Sequence, residues 1–214
     1  MRAREGRGAF VTLEGVDGCG KSTQAALLAE RLRGHGLEVV ALREPGGTPI
    51  SEKIRALVLD PANAEMASEC ELLLYEASRA QLVRQVIAPA LGRGAFVVCD
   101  RFFDSTHAYQ AGARGLDEGL VRRANELGCC GVVPDLTLVL DMDSERAFAR
   151  AGAGGLDRME AEGLAFQRAV RADYLALAAC EPARVRVVDA AGSQDEVARR
   201  IDAELEWAGL VTSD

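Results

Sequence analysis

Residues 14–23 read Glu-Gly-Val-Asp-Gly-Cys-Gly-Lys-Ser-Thr. Within them, Gly15 to Ser22 fit the pattern G-x-x-x-x-G-K-[ST]. The stretch is preceded by Ala9-Phe-Val-Thr-Leu13, a short apolar run with β-branched residues, which predicts a buried strand. It is followed by Lys21 to Arg33, where Ala25, Leu28, Ala29 and Leu32 recur at helical spacing before Gly34 and Gly36 stop the helix. Strand, glycine-rich turn and helix are the context in which this pattern holds phosphate. The glycines let backbone N–H groups curl around an anion at the positive end of a helix. Lys21 is then the cation for the β- and γ-phosphates, and the Ser22 hydroxyl helps hold Mg²⁺. With only two lysines in the chain, a chance match to the pattern arises roughly once in a thousand such sequences.

The rest of the chain repeats the alternation. Leu37–Leu42, Ala95–Cys99, Leu136–Leu140 and Val185–Val188 read as four further apolar strands. Between them, Pro49–Leu59, Glu65–Leu91, Ser105–Gln110, Asp117–Leu127, Ser144–Ala151, Asp157–Ala179 and Asp195–Trp207 read as helices. Five apolar strands separated by helices predict an α/β, P-loop NTPase-type three-layer fold: a five-stranded parallel sheet with helices on both faces. No linker rich in Pro or Ser interrupts it. The expected organisation is a flexible tail over residues 1–7 and one domain over residues 8–214.

Composition narrows the partners. The 214 residues carry 25 Lys+Arg and 33 Asp+Glu, a formal charge of −8, and Lys21 and Lys53 are the only lysines. A net acidic chain is a poor binder of nucleic acid or anionic membrane, both of which need surplus cation. No apolar run approaches the ~20 residues of a membrane span, and no secretory leader is legible. The six cysteines form no C-x-x-C pair and two of them, Cys129 and Cys130, are adjacent, so reduced thiols in a cytoplasmic protein are expected and a zinc site is not. The guanine-reading motif N-K-x-D is absent, which counts against a GTPase switch.

In open α/β sheets, ligands bind beyond the carboxyl ends of the strands. The second strand ends in Arg43-Glu-Pro-Gly-Gly-Thr48 and the third in Asp100-Arg-Phe-Phe-Asp-Ser-Thr106. Each brings an arginine beside a carboxylate to the edge that holds the glycine-rich turn. A guanidinium fork suits a phosphate held in a fixed pose. Asp100, closing an apolar strand, is a second candidate for the Mg²⁺ shell. The bland alternative for both arginines is a structural pair with a neighbouring acid. On the long helix, Tyr75 and Arg79 are four apart and so adjacent, suited to stack and hydrogen-bond a base or to form a surface cation–π pair.

Taken together, Gly15–Ser22 in the form E-G-V-D-G-x-G-K-S-T-Q, Arg43–Thr48, Asp100-Arg101 with Ser105-Thr-x-Ala-Tyr-Gln110, and Leu156-Asp-Arg158 resemble the bacterial thymidylate kinases. The likeness runs from about residue 9 to about residue 205. It implies transfer of a phosphoryl group from ATP to dTMP with Mg²⁺, in a cytoplasmic homodimer, as a step of dTTP synthesis. Gly15, Val16, Asp17, Gly18, Cys19, Gly20, Lys21, Ser22, Thr23 and Arg150 would form the ATP site, and Ser22 and Asp100 the metal site. Arg43 and Arg101 would hold the dTMP phosphate, Asp17 would face the sugar, and Tyr75 and Arg79 would take the thymine ring and its carbonyl. Ser105, Thr106 and Gln110 would line the base edge, and Tyr109 would crowd the sugar 2′ position. Lys21, Asp17, Arg101 and Arg158 would be catalytic. One departure stands out. The expected lid at about 150–158 keeps only Arg150 and Arg158, although a P-loop without arginine is usually accompanied by several lid arginines. A kinase for another nucleoside monophosphate, or a weakened nucleotide-binding regulator, are the alternatives.

Overall fold

A computed structural model describes residues 8–151 and 158–212. The tail at 1–7 and most of the expected lid, 152–157, lie outside the described residues. Five parallel strands form one sheet in the order β2-β3-β1-β4-β5. They are β1 (Phe10–Glu14), β2 (Val39–Arg43), β3 (Phe96–Asp100), β4 (Leu136–Asp141) and β5 (Val185–Asp189). Alternate side chains feed two cores, as a sheet covered on both faces requires. Val11, Leu13, Phe96 and Val98 pack with Leu28 and Leu32 of helix α1 (Lys21–Gly34). Phe10, Val97 and Cys99 pack with Leu82, Val83 and Ile87 on the other side.

Every strand runs one residue past its apolar run. The parallel ladder continues into the polar residue, pairing Arg43 with Asp100, Leu13 with Asp100, and Asp141 with Asp189. Glu14, Arg43 and Asp100 therefore end their strands side by side, at the edge where the chain leaves β1 for β2 on one flank and later returns to β4 on the other.

The remaining helices are α2 (Pro49–Leu59), α3 (Ser68–Leu82), α4 (Ala88–Gly92), α5 (Phe103–Thr106), α6 (Glu118–Gly128), α7 (Ser144–Ala151), α8 (Leu164–Cys180) and α9 (Gln194–Trp207). The single helix expected over Glu65–Leu91 starts later, at Ser68, and widens into a π turn at Val83–Ile87 before α4. Pro89 supplies a reason: it has no N–H and its ring crowds the carbonyl four residues back, and widening the helix relieves that clash. A second π stretch, His107–Ala113, carries Tyr109 and Gln110 inward. It is tied to α8 by His107 Nδ1, 2.7 Å from Asp173 Oδ2. The helix expected from Asp157 begins only at Leu164, because Gly163 turns the chain with φ +86°.

Candidate active site

The glycine-rich turn closes over the carboxyl end of β1 by close backbone packing. A side chain at Gly18 would meet the Ala147 carbonyl of α7 at 2.1 Å, and its φ of +82° suits glycine alone. Lys21 opens α1 and is buried, its Nζ donating to the Val16 carbonyl at 2.8 Å and lying 3.9 Å from Asp17 Oδ1. Ser22 Oγ donates to Asp100 Oδ2. The second oxygen of that carboxylate, Oδ1, is buried without a partner. A hydroxyl beside a carboxylate with one uncommitted oxygen is a donor set that fits Mg²⁺, which takes oxygen ligands.

Arg101 follows Asp100 in the left-handed region, φ +73°, a costly conformation for a residue with a side chain. Its Nη2 holds Asp17 and accepts no freedom to swing, since it also donates to the Tyr109 hydroxyl at 3.0 Å. Its Nη1 donates to the Gly15 carbonyl at 3.2 Å and to Ser105 Oγ at 3.1 Å. Burial pushes the Asp17 carboxyl up, but the charges of Arg101 and Lys21 prevail and hold it at about 2. Asp17 is therefore an anion at any working pH, wedged between the two cations.

Arg43 reaches the Pro45 carbonyl at 2.7 Å and pairs with Glu52 at 2.9 Å, with nearly half of its side chain exposed. Arg79 is not a surface residue. It is 2% exposed, and its fork donates to Glu44 at 2.8 Å, Thr106 Oγ1 at 2.9 Å, Asn125 at 3.2 Å, and Glu76. These four bonds leave one of its five N–H groups for a ligand. Burial raises the Glu44 carboxyl to about 7 in spite of Arg79.

All of this surrounds one cavity of about 470 Å³. Lys21, Ser22, Thr23 and Asp100 line it, as do Asp17, Gly18 and Gly20. So do Arg43, Tyr75, Arg79, Arg101, Ser105, Thr106, Tyr109, Gln110 and Arg150. The sequence expectation thus converges on a single space. Gly15, Val16, Cys19 and Arg158 do not line it. Val16 and Cys19 are buried beneath the turn and offer it only backbone. Arg158 is folded away: its Nε donates to the Val58 carbonyl at 2.7 Å and its Nη2 pairs with Glu71 of α3. Glu71 also accepts from Gln110 at 2.8 Å and from Arg114 at 3.1 Å.

A profile of the thymidylate kinases matches residues 13–201. The chain belongs to the thymidylate kinase family. The thymidylate kinase of Pseudomonas putida (strain GB-1) is 53% identical over 199 residues, covering 92% of this chain and 95% of the relative. That of Syntrophotalea carbinolica is 50% identical over 199 residues, covering 90% and 92%. The solved structure of the thymidylate kinase from Ehrlichia chaffeensis superposes with a TM-score of 0.75 at 33% identity, covering 94% of this chain and 99% of that one.

Within this thymidylate kinase site, several residues were invisible to sequence reasoning. Arg55 of α2 lines the cavity and donates to the same Pro45 carbonyl as Arg43, at 3.0 Å. Its cue was weak, a lone arginine six residues past Pro49 on a helix read for its apolar stripe. Gln167 of α8 donates to Asp17 Oδ2 at 3.1 Å from 150 residues away. Asn125 and Glu76 steady Arg79, and Glu14 and Tyr174 sit behind Arg101. Only Glu14 is near a motif in sequence, directly before Gly15.

Proposed function

We propose that this chain transfers the γ-phosphoryl group of ATP to dTMP, giving dTDP and ADP, a step toward dTTP. The observation that carries this reading is the set of cations lining one cavity: Lys21 at the glycine-rich turn, Arg101 beside it across Asp17, and Arg43 and Arg55 gathered on the Pro45 carbonyl. An oxygen of the dTMP phosphate attacks the γ-phosphorus, and the bond from that phosphorus to the β–γ bridging oxygen breaks. The attacking oxygen is already anionic, so positioning and charge neutralisation dominate over base catalysis. Lys21 neutralises the β- and γ-phosphates. Ser22 and Asp100 would hold Mg²⁺, which would supply further charge neutralisation for the donor phosphates. Arg43 and Arg101 seat the acceptor phosphate between them, and Arg101 is held in place by Asp17, Tyr109 and Ser105.

Tyr75 and Arg79 both line the cavity, Tyr75 to stack on thymine and Arg79 to offer its remaining N–H to a base carbonyl. Thr106 uses its oxygen to accept from Arg79, leaving its own proton for the base edge. Ser105 serves chiefly to brace Arg101, and Gln110 is drawn to Glu71, so these two shape the wall. Arg150, exposed at the end of α7 and lining the cavity, would stack on adenine. The ATP and acceptor sites form one domain over residues 8–214, with a lid at about 150–158. A homodimer accords with the exposed Leu57, Leu73 and Leu127 on the neighbouring helices α2, α3 and α6. A reducing, cytoplasmic setting accords with six unpaired cysteines. Among the described residues no helix is long and apolar enough to cross a membrane. The charge of −8 supports small-molecule partners without nucleic acid.

The test is dTDP formation from dTMP and ATP, followed by chromatography, with and without Mg²⁺. One observation favours the rival reading of a binder that does not catalyse, namely the stowing of Arg158 against Glu71. Saturable binding of both nucleotides with no dTDP would establish that rival. On the kinase reading, Arg158 acts mainly as the anchor at the base of the lid. Arg158→Ala should then lower stability by about 2 kcal/mol, since Glu71 keeps Arg114 as a partner, and kcat by less than about tenfold. Urea unfolding and steady-state kinetics check both halves. A drop in kcat of about a thousandfold at unchanged stability would instead place Arg158 on the transferred phosphoryl.

A further inference from the structure

Glu14, the last residue of β1, is wholly buried directly behind the acceptor side of the cavity. Its Oε1 accepts from the Phe102 backbone N–H at 2.7 Å. Its Oε2 accepts from Ser105 Oγ at 2.5 Å and from the Tyr174 hydroxyl at 2.8 Å. The two hydroxyls are themselves 2.8 Å apart. Both lie within reach of Arg101 Nη1, at 3.1 Å for Ser105 and 3.5 Å for Tyr174.

Two consequences follow from that geometry. In its ionised form the Glu14 carboxylate only accepts, so it draws the hydroxyl protons toward itself and turns the hydroxyl lone pairs toward the arginine. The bond from Phe102 N–H fixes the peptide that follows Arg101, the one residue in the Asp100–Ser105 stretch with positive φ. Backbone strain of this kind persists only where the surroundings over-determine it.

We propose that Glu14 is a positioning residue for phosphoryl transfer, aiming the Arg101 guanidinium at the acceptor phosphate through Phe102 N–H, Ser105 and Tyr174. This rests on the reading of Arg101 as a holder of that phosphate. Burial, reinforced by the nearby Asp104, raises the Glu14 carboxyl to about 7, so an acid at this place does not favour the fold for its own sake. The sheet does not call for an acid there either: Glu14 pairs with Val139 in the β4 ladder, and the β3 ladder ends one residue earlier, at Leu13 with Asp100.

The experiment is a double-mutant cycle of Glu14→Gln and Arg101→Lys, with KM and kcat measured for dTMP and ATP separately. Glutamine keeps the shape and the acceptor for Phe102 N–H, and it reverses the hydroxyl bonds by presenting an NH₂. The expected result is a loss of about 10–100-fold in kcat/KM for dTMP, the scale of a disturbed supporting contact, with KM for ATP unchanged. In the Arg101→Lys background the same substitution should cost less than about twofold, because the fork it aims is gone. A silent Glu14→Gln overturns the proposal, and so does an equal loss in both backgrounds. If Glu14→Gln does not fold, Tyr174→Phe takes its place in the cycle, with a smaller loss of about 3–10-fold expected and the same non-additivity required. Should Arg101→Lys leave dTMP kinetics untouched, the assignment of Arg101 fails first, which separates that failure from a failure of Glu14 alone.

Discussion

Lys21→Ala should lower kcat by about a thousandfold or more while dTMP affinity stays within a few fold of wild type. The magnitude is that of removing a preorganised charge from a phosphoryl-transfer site. Lys21 Nζ lies against the Val16 carbonyl, inside the turn, and nothing nearby can replace it. The only other lysine, Lys53, belongs to α2. On the proposed reading the two anions have separate cations, and Asp17 keeps Arg101 after the substitution, so the acceptor side stays assembled. Turnover at saturating nucleotides and calorimetric titration of dTMP read the two quantities independently. Loss of dTMP binding together with turnover would show that the two phosphate sites are not separable.

Arg101→Ala should have an effect of similar size on a different parameter, a fall of about a thousandfold in kcat/KM for dTMP. Arg101 touches the acceptor phosphate in this account, and it also neutralises Asp17. Removing it strips away the strongest influence holding the Asp17 carboxyl down, leaving burial opposed by the Lys21 charge and the Gln167 hydrogen bond. The sign for stability is definite. Asp17 has a depressed pKa in the fold, so it contributes stability above its unfolded value of 3.8 that is lost as pH falls toward about 2. Without Arg101 that contribution shrinks, and stability at neutral pH falls by about 2–4 kcal/mol, as expected when one partner of a largely buried pair is removed. Acid unfolding should therefore begin at a higher pH in the variant, which circular dichroism across pH 2–6 would show.

Much of this was legible in the sequence because the decisive signals were local. The glycine-rich turn between an apolar strand and a helix marked one wall of the cavity, and Arg43, Asp100 and Arg101 followed from their places at strand ends. The residues that hold those groups in position were not legible. Gln167 and Tyr174 reach the site from α8, and Asn125 reaches Arg79 from α6. Polar residues on amphipathic helices look alike until packing decides which of them turn inward. Arg79 shows the limit from the other side. Its spacing from Tyr75 marked it, but the helix pattern did not reveal that two buried glutamates would flank it. Arg158 was marked by its motif, while its partner Glu71 lies 87 residues earlier. The π turn before Pro89 was equally hidden, because proline marks the clash and packing decides how the helix absorbs it.

The most direct measurement is kcat/KM with ATP for a panel of acceptors: dTMP, dUMP, CMP, AMP and GMP. dTMP should be the best acceptor, with CMP and AMP slower by two or more orders of magnitude, since each presents an amino group where thymine presents a carbonyl to the Arg79 donor. Another monophosphate equalling or exceeding dTMP would contradict it.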